Sequence, residues 1–121
     1  MEYTKINNKK LARLYLMEKI DSKQFEPVQQ ILKSSSEDDQ ASAMLFGDIK
    51  IDNIINHNEQ YYEIHFAIFE RAMEEIEQKN LIKTRDRLND GSYVISKVNT
   101  KRISEESVKL REILYKHGEL K

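Results

Sequence analysis

Phe69-Glu70-Arg71-Ala72-Met73-Glu74-Glu75-Ile76-Glu77-Gln78-Lys79-Asn80-Leu81-Ile82 is the stretch on which the fold expectation rests. Phe69, Met73 and Ile76, with Ala72 beside them, recur at the spacing that gathers side chains on one helix face. Glu70, Arg71, Glu74, Glu75 and Gln78 take the opposite face. Continued backwards, the stripe takes in Phe66 and Tyr62, so the spacing predicts a helix that starts just after Asn56-His57-Asn58. Lys79-Asn80 is its expected stop, because asparagine tolerates the left-handed backbone that closes many helices. Leu81-Ile82 then enters a strand, Asn89-Asp90-Gly91 accepts the positive φ of a tight turn, and Ser92 to Val98 has the β-branched and aromatic content of a return strand. A last helix is expected from Ser104, with that hydroxyl as its cap and Glu105 and Glu106 near the positive end of its dipole. Leu110, Ile113 and Leu114 form its expected buried face and Gly118 its end.

Toward the N-terminus, Asn7 or Asn8 caps a first helix that buries Leu11, Leu14, Tyr15, Met17 and Ile20, with Ile6 packing back onto its first turn. Tyr15 and Leu16 widen the apolar arc of that helix, which predicts a homodimer contact through it. Pro27 suits the first turn of a second helix with Val28, Ile31 and Leu32 on its apolar face. Ser34 to Asp39 is a polar break, and Ala41 to Phe46 fits one or two helical turns ending at Gly47. Asp48-Ile49-Lys50-Ile51-Asp52 alternates like a half-buried strand, while Ile54-Ile55 suits a helix equally well. The expected class is mainly α with one small β-hairpin: four or five helices in a single domain over residues 1–121, with its core at 59–118 and an N-terminal helical extension.

Phe69 to Ile82 resembles the "F-x-x-A-hydrophobic-x-x-L-x-x-x-G-[YL]-I" segment of bacterial winged-helix proteins, and Arg102-Ile103-Ser104-Glu105-Glu106-Ser107 is similar to the "L-T-E-x-G" start of the helix after the wing. The family resembled is the YjcQ-like group, small winged-helix proteins of Gram-positive bacteria and their phages, over roughly residues 60–118. The resemblance implies a winged-helix domain that binds DNA, a small regulator of transcription or replication encoded by a phage or plasmid. Asn80 stands where related regulators favour glycine, and residues 34–58 are longer than a compact helix-turn-helix needs.

Composition narrows the chemistry. With 121 residues the chain is long enough for a real core, and 34% charged residues alongside 39% hydrophobic ones place it on the polar side of globular proteins. There is no cysteine, hence no disulfide and no thiol chemistry. His57, His65 and His117 lack metal-ligand spacing, and Gly47, Gly91 and Gly118 cannot form a phosphate-cradling loop. No enzyme, metal or cofactor is expected. No apolar run approaches membrane-spanning length, so a membrane partner is not expected and a cytoplasmic location is.

A net charge of −1 excludes a general polybasic coat, but the basic groups are not evenly spread. Lys83, Arg85, Arg87, Lys97, Lys101 and Arg102 surround the hairpin; Lys5, Lys9, Lys10 and Arg13 lie near the N-terminus. Binding to DNA needs cations for phosphate and polar side chains for base edges. Lys83, Arg85 and Arg87 are the expected phosphate contacts; Asn58, Gln60 and Tyr61, at the start of the recognition helix, are the expected readers. The rival reading is an interaction or inhibitory module that binds a host or phage protein, with Tyr61 to Phe66 as its contact surface. Exposure of both Ile64 and Ile68 would favour a protein partner or homodimer.

Overall fold

The computed structural model describes residues 3–21, 49–57 and 59–120. The helix expected at Pro27, the turns over Ala41 to Phe46 and the candidate reader Asn58 lie outside the described residues. In chain order the elements are β1 (Thr4–Ile6), α1 (Lys9–Asp21), β2 (Ile49–Ile51), β3 (Ile54–His57), β4 (Gln60–Ile64), α2 (Phe66–Gln78), β5 (Ile82–Arg87), β6 (Tyr93–Val98) and α3 (Thr100–Lys116).

The strands form two three-stranded sheets. In one, β4 is central, parallel to β1 and antiparallel to β3; in the other, β6 is central and antiparallel to both β2 and β5. This corrects the expected class. Among the described residues, about 48% helix with 29% strand is too much strand for a mainly α, winged-helix domain with a single hairpin.

One segment accounts for most of the difference. Gln60-Tyr61-Tyr62-Glu63-Ile64 satisfies both periods: Tyr62 and Phe66 are four apart, as on a helix, yet Tyr62 and Ile64 are two apart, as on a strand. The strand wins because β4 finds neighbours on both sides, Thr4↔Tyr62 and Ile6↔Ile64 on one and Ile55↔Tyr62 and His57↔Gln60 on the other. Both rows of backbone groups are thereby paired. Ile64 is fully buried, and the Tyr62 ring lies 5.2 Å from that of Tyr15. The helix therefore begins at Phe66, a residue that is 41% exposed and not part of a buried stripe. Ile54-Ile55 is likewise strand, held by Asp52, which accepts from the Ile54 N–H, and by Asn53, whose amide donates to the Ile64 carbonyl.

Elsewhere the expected punctuation is present. Asn8 caps α1, its Oδ1 accepting from the N–H groups of Lys10 (2.9 Å) and Leu11 (3.2 Å). Asn80, at φ 60°, closes α2. Ile49 and Ile51 are buried while Lys50 between them is half-buried, the alternation expected of β2. α3 differs: it starts at Thr100, four residues before the expected Ser104, with Asn99 as cap accepting from the Arg102 N–H. The buried stripe of α3 is Ile103, Ser107, Leu110 and Leu114, which turns Ile113 outward at 47% exposure. Gly118, at φ 74°, ends the turn, and the Glu119 N–H donates to the Leu114 carbonyl.

α1 packs on both α2 and α3. Its arc is as broad as expected, with Ala12, Leu14, Tyr15, Leu16, Met17 and Ile20 all buried, but Leu16 is covered within one chain. The arc thus gives no reason for a two-fold contact. Ile64 is buried and Ile68 packs against the core, so the exposure that would favour a partner at that surface is not met either. Two ion-pair groups lock the helices. The Arg111 guanidinium donates to both oxygens of Glu18 at 2.7 and 2.8 Å, joining α3 to α1. Glu75 of α2 takes Lys9 at 2.6 Å and Arg13 at 2.9 Å from α1.

Hydrogen bonds from Lys9 and Arg13, helped by their charges, hold the Glu75 carboxyl below its ordinary 4.5. A carboxyl depressed in the folded state stabilises the fold fully above its unfolded value, and that contribution is lost as pH falls through the folded value. Glu75→Gln is therefore expected to cost about 1 kcal/mol at pH 7, with the gap to the parent closing below pH 4.5 as the parent protonates. Urea midpoints at pH 7 and pH 3 measure it.

Candidate nucleic-acid interface

Strict alternation along Ile82-Lys83-Thr84-Arg85-Asp86-Arg87 would put Lys83, Arg85 and Arg87 on one face of β5. The register does otherwise. Ile82↔Val98 and Lys83↔Lys97 are followed by Thr84↔Ile95, Asp86↔Val94 and Arg87↔Tyr93, with irregularities on either side of Thr84. Ser96 is skipped on β6 and Arg85 is the extra residue on β5, and a bulge of this kind inverts the facing of the residues beyond it. Ile82, Thr84 and Arg87 share the face that meets α2; Lys83 lies opposite Lys97 on the other face.

The consequence for Arg87 is a structural role. Its guanidinium pairs with Glu70 of α2 and lies 5.7 Å from the centre of the Phe66 ring and 5.3 Å from that of Tyr93. Such a cation held by a carboxylate and two rings ties hairpin to helix. Arg85 is exposed at the bulge.

Lys83 and Lys97 are both exposed, and neither has an ion-pair partner among the described residues. Like charges directly opposite on neighbouring strands repel. Lys101, from the first turn of α3, joins them around one groove of about 770 Å³ at the base of the hairpin. Leu81, Ile82, Val98, Asn80, Asn99 and Thr100 also line it, Leu81 and Ile82 being buried beneath its surface. Its acidic member, Glu77, is occupied, its carboxylate accepting from the Thr84 N–H at 2.8 Å and from the Thr84 hydroxyl. Arg102 is exposed one residue further along α3.

The expected base readers are not brought to this groove. Gln60 and Tyr61 are strand residues of β4, in the other sheet, because α2 begins six residues after Gln60. Gln60 donates to the Thr4 hydroxyl at 3.2 Å, and the Tyr61 ring meets Tyr3 edge-on at 6.0 Å. Lys97 and Lys101 belong to the basic cluster visible in the sequence, but no local pattern sets them apart within it. The signal that does so is the cross-strand register, which only the folded chain reveals.

The turn that presents the hairpin is built as expected. The Gly91 N–H donates to the Leu88 carbonyl at 2.9 Å, and Asp90 Oδ1 accepts from the Ser92 N–H at 2.9 Å. The Asp90 carboxyl sits below its ordinary value through those Ser92 bonds and the nearby Lys50. Gly91 is constrained twice. Its φ of +89° disfavours a side chain, and a Cβ there would overlap the Phe66 ring. Gly91→Ala is expected to lower stability by about 1–3 kcal/mol, read as a fall in denaturation midpoint together with altered aromatic circular dichroism from Phe66.

Among the described residues no group of three or more His, Asp or Glu side chains is placed to hold a metal ion, and no helix is long and apolar enough to cross a membrane. No family model matches the chain, and no similar curated protein or solved structure was found for it.

Proposed function

We propose that this chain binds DNA through the base of the β5–β6 hairpin and the first turn of α3, as a small regulator of transcription or replication. The observation that carries the reading is the cross-strand pair Lys83↔Lys97, exposed and beside Lys101 and Arg102. Two ammonium groups held opposite each other raise the local potential, and a phosphate bound between them relieves the repulsion. Contacts of this kind are to the backbone, so they give affinity with little dependence on base sequence.

The test is a titration of duplex binding against salt. Each phosphate contact made by a cation steepens the fall of log affinity against log salt by about 0.9. The groove and its neighbours, Lys83, Lys97, Lys101 and Arg102, therefore predict a slope between about −2 and −4. A slope near zero, or no binding at low salt, removes the reading.

A protein partner is the second reading, and α3 favours it. Val108 and Tyr115 lie on one exposed stripe of that helix at 56% and 66% exposure, and Ile113 is exposed nearby. Capture of a cell protein that is lost in Val108→Asp and Tyr115→Asp, with no duplex binding, selects this alternative.

A further inference from the structure

We infer that the groove at the base of the hairpin is a seat for a phosphate monoester carried by a nucleotide, either a free nucleotide or the phosphorylated end of a strand. The inference rests on the nucleic-acid reading above and narrows it to a chemical group. Three lysines, Lys83, Lys97 and Lys101, and one carboxylate, Glu77, line the groove, an excess of two positive charges. A phosphodiester within a strand carries one negative charge, whereas a monoester carries close to two near neutral pH. The balance suits the monoester.

Size and lining agree with that choice. About 770 Å³ is many times the volume of a phosphate group and falls in the range of about 300–1,000 Å³ usual for small-ligand sites. An attached nucleoside would meet the half-buried Val98 and the side-chain amides of Asn80 and Asn99, which also line the groove. The Asn99 Oδ1 is already committed to the Arg102 N–H, which leaves its NH₂ to donate and Asn80 to donate or accept toward sugar or base. Glu77 is partly committed elsewhere, its Oε2 accepting from both the N–H and the hydroxyl of Thr84. Arg87 does not line the groove, its guanidinium being held by Glu70, Phe66 and Tyr93.

The experiment compares one oligonucleotide with and without a 5′-phosphate, closed circular DNA, adenosine 5′-monophosphate and adenosine, each against the full chain by titration calorimetry. The phosphorylated strand should bind about tenfold more tightly than the hydroxyl-ended one, the size of one charge-assisted contact. Lys83→Gln with Lys97→Gln should reduce that preference to below about twofold, and Lys101→Gln, on a different element, should reduce it independently. All three side chains are exposed, so circular dichroism should be unchanged. Adenosine 5′-monophosphate that binds and competes identifies the free nucleotide as sufficient. Preference for the phosphorylated strand without binding of the monophosphate identifies the strand end. Equal affinity for both strand ends with no binding of the monophosphate overturns the inference, and so does a preference that survives all three substitutions. Tight binding to closed circular DNA in either case leaves the broader DNA-binding reading standing.

Discussion

Phe69→Ala is expected to lower stability by about 3–5 kcal/mol, the usual cost of deleting a buried aromatic ring. The residue is fully buried on α2, 5.4 Å ring to ring from Tyr93 of β6 in an edge-on contact, and 6.2 Å from Phe66. It therefore joins the helix to the sheet that carries the hairpin, and its removal leaves a hole between two rigid elements that cannot easily close. Set against a total of about 5–15 kcal/mol for a domain, that loss takes a large share of the stability. Guanidinium denaturation followed by circular dichroism measures it. A loss below about 1 kcal/mol would mean that α2 does not rest on β6 through this ring.

Charge reversal on the hairpin should have the larger effect on binding, with a signature that separates it from damage to the fold. Lys83→Glu combined with Lys97→Glu removes two phosphate contacts and adds repulsion. It should weaken duplex binding about 100-fold at low salt on every sequence and flatten the salt slope by about 2. Lys83→Glu alone replaces a repelling cross-strand pair by an attracting one, so it should raise stability by about 0.2–1 kcal/mol while weakening binding. Arg87→Ala should do the reverse, lowering the melting temperature and leaving the salt slope unchanged, because its guanidinium is spent on Glu70, Phe66 and Tyr93. If Arg87→Ala flattens the slope as much as the Lys83 change, the bulge does not divide the two residues between faces.

Local signals in this sequence are legible where one residue decides them. Asn8, Asn80, Gly91 and Gly118 each do what their side chains or lack of one dictate, and the alternation of Ile49 and Ile51 is that of a strand. Local signals do not decide an outcome that depends on a distant partner. Gln60 to Ile64 is helix or strand by its own periodicity, and the decision belongs to Thr4–Ile6 and Ile54–His57. The three-residue β1 carries no local pattern at all. The candidate site divides in the same way. The basic cluster is visible in the sequence, but its sorting into a Lys83 that faces Lys97 and an Arg87 that faces α2 depends on the bulge at Arg85, and Gln60 and Tyr61 lie on β4, not on a helix.

The parallel pairing of β1 with β4 also sets an order of events during synthesis. Lys5 and Glu63 meet across a separation of 58 residues, and β1 can pair only after β4 has been made. At roughly 5–20 residues per second, the first strand waits about 3–12 s for its neighbour. A nascent chain halted before Gln60 has no site for Thr4–Ile6 to dock, so this sheet assembles by closing a long loop, the slow kind of contact.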